Sequence, residues 1–156
     1  MIKIIPYKNA HQNGIDAMMQ DIDMEFKYTI FPKQTHERPI IPDAYWVAII
    51  NTKIIGTVAV INIENNFVIL KNMMLKKEYR GKSLGVSKLL LETAINWCEI
   101  NHIPEIYLGT MTQFKAAQSF YINNGFVKIS EDKLPSNFLN NPLDTIFFVK
   151  NITTFI

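Results

Sequence analysis

The strongest constraint on the fold is a strand, a small basic turn and a long helix in unbroken succession. Residues 67–75 form an apolar run, the turn reads Tyr79-Arg80-Gly81-Lys82-Ser83-Leu84-Gly85, and residues 84–100 are strongly helical. Residues 105–110 then read as a further strand. Parallel strands need a crossover of this length, so the strands at 67–75 and 105–110 are expected to pair in parallel. The turn has its own chemistry. At a helix N-terminus unpaired N–H groups and the positive end of the helix dipole favour an anion, and small residues let that anion approach the backbone. The reading is a phosphate cradle; the plain alternative is a tight connection between two elements.

The remaining elements follow from periodicity. A first strand is expected at 2–7, and a helix at 15–26, where Ile15, Met18, Met19, Ile22 and Phe26 recur at three- and four-residue steps. Strands at 45–50, 54–63 and 67–75, separated by turns at Asn51-Thr52-Lys53 and Glu64-Asn65-Asn66, make an antiparallel succession. The long helix carries Val86, Leu89, Leu90, Thr93, Ala94, Trp97 and Cys98 on one face and stops before Pro104. Strands at 126–130 and 145–150 close the sheet, with a Pro- and Asn-rich loop at 134–142 between them.

The turn and its surroundings resemble the acyl-CoA-binding motif of the GNAT superfamily of N-acetyltransferases, in which Arg or Gln is followed by two residues, Gly, one residue, and Gly or Ala. Arg80 and Gly85 fit, while Ser83 stands where the pattern has its first Gly. Upstream, Leu70-Lys71-Asn72-Met73-Met74-Leu75 is similar to the strand that these enzymes place against the pantetheine arm. Downstream, Ala116-Ala117-Gln118-Ser119-Phe120-Tyr121-Ile122-Asn123-Asn124-Gly125-Phe126 resembles the superfamily's short helix carrying a tyrosine, closed by Gly-Phe entering a strand.

The resemblance implies an α/β (α+β) fold of GNAT type: a mixed, mostly antiparallel central sheet with a splayed parallel strand pair and helices on both faces. Residues 1–156 form a single acetyltransferase domain in this reading. The implied activity is transfer of an acetyl group from acetyl-CoA, as cosubstrate, to a primary amine, of a small molecule first, by direct attack on the thioester. The alternative is a non-catalytic acyl-CoA-binding or regulatory module on the same fold, since fold does not settle function. By resemblance the backbone around Met73, Met74 and Leu75 hydrogen-bonds pantetheine and polarises the thioester carbonyl. The turn Arg80, Gly81, Lys82, Ser83, Leu84, Gly85 and Val86 holds the pyrophosphate, with Arg80 and Lys82 either reaching the phosphates or lying solvated.

Acetylation of an amine by a thioester needs a neutral amine and a proton for the departing thiolate. Tyr121 is the candidate acid, because an unperturbed phenol has a pKa near 10, close to that of a thiol. The base is open: the strand position that often carries a Glu in the superfamily is occupied here by Val68, Ile69 and Leu70, leaving Glu37, Asp43, Glu64 or a water chain, none of them nominated. Acceptor choice falls to residues 27–42, with help from 134–142; Pro32, Pro39 and Pro42 stiffen the first segment, Tyr28, Phe31 and Ile40 are apolar, and Lys33, His36 and Arg38 are donors. That mixture suits a small amine carrying a carboxylate, with polyamines, aminoglycosides and protein amino groups still open.

Composition excludes several classes. A net charge of +2, from 14 Lys and 2 Arg spread along the chain, makes no patch or arginine fork for nucleic acid. The longest nearly apolar stretch, residues 54–61, is too short to cross a bilayer, and residues 1–6 lack the apolar region of a signal peptide, so a cytoplasmic protein without membrane partners is expected. Cys98 reads as a small core residue, and His11, His36 and His102 are too scattered for metal-ligand spacing, so no metal is assigned. A homodimer is expected from the superfamily's habit of pairing through the sheet edge or C-terminal strands, with residues 152–156 as an apolar contact.

Overall fold

Alternation along residues 44–75 sets the sheet, because neighbouring side chains face opposite sides of a strand. Val47 and Ile54 point to one face while their neighbours Ala48 and Ile55 point to the other, and both sets are buried. A sheet of this kind needs a helix on each side. The computed structural model describes residues 1–28, 30, 41–81 and 85–152.

Among the described residues the strands are β1 (Ile2–Pro6), β2 (Ala44–Ile50), β3 (Lys53–Ile63), β4 (Phe67–Leu75), β5 (Glu105–Thr110), β6 (Val127–Ile129) and β7 (Ile146–Asn151). The helices are α1 (Gln12–Asp23), α2 (Val86–Ile100) and α3 (Lys115–Asn123), with short 3-10 turns between elements. The strand order is β1-β2-β3-β4-β5-β7-β6, antiparallel throughout except for the parallel pair β4–β5. The mixed, mostly antiparallel sheet with one parallel pair is therefore as expected. The insertion of β7 between β5 and β6 is new: residues 134–145 carry the chain past β6 before it returns.

On one face α1 buries Ile15, Met18 and Ile22 against Val47 and Ile54. On the other, α2 buries Val86, Leu90, Leu91, Ala94 and Cys98 against Ala48, Ile55, Val58 and Val60, and Tyr121, Phe126 and Phe148 extend the same cluster. The buried stripe of α2 differs from the expected one in one respect: Leu89 is exposed and Leu91 is in the core. The i, i+4, i+8, i+12 row from Val86 through Leu90 and Ala94 to Cys98 sets the buried face, and Leu91 is the one beside it that meets the sheet. Residues 153–156, the greater part of the tail expected at a dimer contact, lie outside the described residues.

Candidate active site

The site begins with a defect in β4. Opposite Val58, β4 carries one residue too many, since Thr57 pairs with Met74 but Ala59 pairs with Lys71. Asn72 absorbs the extra residue in the left-handed region, at φ 51°, a conformation that Asn tolerates better than most side chains. The Thr57 hydroxyl donates to the Asn72 carbonyl at 2.6 Å and pins the bulge. The bulge bends β4 away from β5. Their parallel pairing is confined to Val68 with Ile106 and Ile69 with Tyr107, and beyond residue 69 the two strands separate.

The separation opens a cleft of about 1270 Å³. Its walls are β4 from Leu70 to Leu75, β5 from Leu108 to Thr110, α3, and the start of α2. Among the described residues the cleft-facing edge of β4 has no strand partner beyond residue 69, so the backbone N–H groups that lie on that edge between Leu70 and Leu75 are open to the cleft, where such donors can meet a developing oxyanion or an amide-rich chain. At one end Gly81, Gly85, Ser87 and Lys88 line the opening. Gly85 caps α2 at φ 65°, a region in which a side chain is strained, and the first turn of this 15-residue helix points its free N–H groups at that end. Lys77, Lys88 and Lys115 add positive charge along the walls.

Of the expected cofactor residues, the structure brings Met73, Met74, Leu75, Arg80, Gly81 and Gly85 to this cleft, and Val86 is buried as the first residue of α2. Lys82, Ser83 and Leu84 lie outside the described residues. Arg80 is engaged elsewhere: its Nε donates to the Leu75 carbonyl at 2.9 Å, and its two terminal nitrogens grip both oxygens of Glu25 at 2.6 and 2.9 Å. That bidentate pair fastens the residues after α1 to the start of the turn before α2. It was not legible in the sequence, because the partners are 55 positions apart.

Tyr121 also lines the cleft. Its ring is packed among Phe120, Phe126 and Phe148, at centroid distances of 5.8, 5.4 and 5.9 Å, and the residue is only 5% exposed. Burial, and then the nearby charge of Asp144, push its phenol above the ordinary value. Burial alone moves the phenol away from the expected match with a thiol, and an ionised Asp144 moves it further.

The carboxylates considered as bases are elsewhere. Asp43 accepts from the Asn62 amide at 2.6 Å near the far end of β3, Glu64 is exposed in the β3–β4 turn, and Glu37 lies outside the described residues. The residues of 27–42 expected to choose the acceptor are mostly outside the described residues; Ile30 is buried and lines the cleft. Among the charged groups of the cleft that were not singled out in the sequence are Lys71 of β4 and Asp144 before β7. Burial lowers the Lys71 pKa and raises that of Asp144, and each moderates the shift of the other. Lys71 had a signal, a charge within an apolar strand; Asp144 had none. No group of His, Cys, Asp and Glu suited to a metal occurs among the described residues, and none of their helices is long and apolar enough to cross a membrane.

The fold and cleft have counterparts in known proteins. The profile of the Acetyltransferase (GNAT) domain family matches residues 42–128, more than half of the chain. The chain belongs to the GNAT family of acetyltransferases. Its sequence is 34% identical to N-acetylaspartate synthetase of Xenopus tropicalis over 107 residues, 67% of this chain and 39% of that protein. The chain thus spans well under half the length of this relative. The crystal structure of a GNAT-family acetyltransferase from Staphylococcus aureus Mu50 superposes with a TM-score of 0.85 at 30% identity, covering 98% of this chain and 100% of that one. N-acetylglutamate synthase from Neisseria gonorrhoeae, solved with coenzyme A and N-acetylglutamate, has the same fold at a TM-score of 0.76 and 13% identity, over 99% of this chain and 36% of its own.

Proposed function

We propose that this chain, acting as one domain over residues 1–156, transfers the acetyl group of acetyl-CoA to the primary amine of a small molecule by direct attack on the thioester. The observation that carries the reading is the unpaired edge of β4 lying between the N-terminus of α2 and the Tyr121 side chain. Pantetheine would run along that edge, the thioester oxygen would meet the Met73 to Leu75 amides, and the pyrophosphate would sit at Gly81, Gly85 and the first turn of α2. No protein nucleophile is needed. Cys98 is fully buried on α2, and burial pushes its thiol up to about 12.

An acceptor carrying a carboxylate beside its amine suits the opposed charges of Lys71 and Asp144. The similarity to a protein named N-acetylaspartate synthetase supports the same class. The test is calorimetric titration of acetyl-CoA, followed by a thiol-release assay over pooled amino acids, polyamines, aminoglycosides and peptides. Binding with release confined to the amino-acid pool is the expected result. Binding without release in any pool would overturn the transferase reading, and release only with polyamines would overturn the acceptor class.

A further inference from the structure

Two carboxylates line the cleft among the described residues, Glu25 and Asp144. Glu25 is held by both terminal nitrogens of Arg80. Asp144 is not occupied: no hydrogen bond ties up its carboxylate among the described residues. Its backbone, by contrast, is fixed. The Asp144 amide donates to the Asn141 carbonyl at 2.9 Å, the Asn141 side chain accepts from the Leu143 amide at 3.0 Å, and the Thr145 amide donates to the Thr110 carbonyl at 3.0 Å. These bonds lay the Asp144 side chain over β5, where Gly109 leaves the space. A Cβ on Gly109 would stand 2.9 Å from Asp144 Oδ2 and 3.0 Å from its Cβ.

We propose that Asp144 is the proton acceptor for the attacking amine, with Lys71 as a cationic group of the same cleft. The inference rests on the transferase reading given above. Three elements bring the participants to one cleft: β4 supplies Lys71, the approach to β7 supplies Asp144, and α3 supplies Tyr121. The amine enters the step neutral. Its nitrogen lone pair forms the bond to the thioester carbon while the carbonyl π pair moves onto oxygen, and the proton shed by the now cationic nitrogen passes to Asp144. The oxyanion then re-forms the carbonyl, the C–S bond breaks with its electron pair on sulfur, and the Tyr121 phenol protonates that sulfur. Amide and CoA thiol leave, and the proton held by Asp144 returns through solvent to the phenolate, restoring both groups.

The order of these transfers is favoured by the charges themselves. Ionised Asp144 is one of the two causes that hold the Tyr121 phenol high, so protonating Asp144 removes it and makes Tyr121 a better acid at the moment the thiolate departs. Lys71 acts in the opposite sense on Asp144, lowering a pKa that burial raises. Lys71 is the charged group that acts on Asp144, and Tyr121 is the neutral group on which the charge of Asp144 acts.

The test compares wild type, Asp144→Asn and Lys71→Met with the acceptor found above, as log kcat/KM against pH, alongside melting temperature and acetyl-CoA affinity. In wild type the rate requires a neutral amine and an ionised Asp144, so the slope on the acid side steepens from one to two below the Asp144 pKa. Asp144→Asn is expected to lower kcat roughly 10²- to 10⁴-fold with acetyl-CoA affinity kept, and to hold a slope of one throughout. Lys71→Met should move the steepening to higher pH, since its charge no longer favours the carboxylate. A rate for Asp144→Asn within twofold of wild type, or a wild-type slope of two that survives in that variant, would overturn the proposal while leaving the transferase standing. Absence of thiol release from wild type with every amine would overturn both.

Discussion

At the residue scale the account depends on Tyr121. Its ring is a core element and its hydroxyl carries the proposed chemistry, and the two can be separated. Tyr121→Ala should cost about 3–5 kcal/mol, as for other buried aromatic rings, through the cavity left among Phe120, Phe126 and Phe148. Tyr121→Phe keeps the ring and removes only the donor, so denaturant unfolding of this variant should stay within about 1 kcal/mol of wild type. Cys98 makes a contrasting case. Fully buried with its thiol pushed up to about 12, it should resist alkylation at pH 8 in the folded protein and react only on unfolding. Rapid labelling of native protein by iodoacetamide, checked by mass spectrometry, would contradict its placement. The sequence reading put Cys98 in the core, where it lies, because a cysteine at helical spacing is a local pattern, and it singled out Tyr121, which lines the cleft, from the short helix ahead of a Gly-Phe strand entry. Asp144 escaped it, since a carboxylate becomes a cleft residue only when a loop is folded over a glycine of another strand.

At the scale of elements the bulge in β4 is the feature from which the cleft follows. Thr57 is fully buried and spends its hydroxyl on the Asn72 carbonyl, which a straight strand would not require. Thr57→Val keeps the shape and removes the bond, so it should destabilise by about 1–3 kcal/mol through the unsatisfied carbonyl and weaken acetyl-CoA binding measurably by titration calorimetry. Unchanged affinity would mean that the bulge holds its geometry without that bond. On β5, Gly109→Ala would press on Asp144 and on Phe147, 3.0 Å from the added Cβ, with an expected cost of about 1–3 kcal/mol and a loss of turnover larger than the loss of acetyl-CoA affinity. Strand and helix spans were legible to within a few residues, because period-two and period-3.6 apolar patterns fix them. The bulge was not, since one left-handed Asn inside a strand leaves that pattern almost intact.

At the scale of the molecule, the parallel pair followed from the strand, crossover and strand order in the sequence, and the helices on opposite faces from the family resemblance. The place of β7 between β5 and β6 did not, because it depends on which edge of β5 is free once β4 has taken the other. The buried groups also make the whole fold sensitive to alkali. Cys98 and Tyr121 both have raised folded-state pKa values, so above pH ~8.5, first at the thiol and from about pH 10 also at the phenol, the unfolded chain releases protons that the folded chain still holds. Stability is thus present in full below that pH and falls as pH rises, by up to about 1.4 kcal/mol per pH unit for each such group. Thermal melts from pH 7 to 10.5 should show this decline, less steeply in Cys98→Ala; a flat profile would contradict it.

The central claim is that the cleft between β4 and β5 transfers an acetyl group with Tyr121 as the acid. The most direct test is to measure steady-state thiol release and acetyl-CoA affinity for wild type and Tyr121→Phe in the same preparation. The account predicts a kcat lowered roughly 10²- to 10⁴-fold with the dissociation constant unchanged within about twofold. Equal turnover by the two proteins would contradict it.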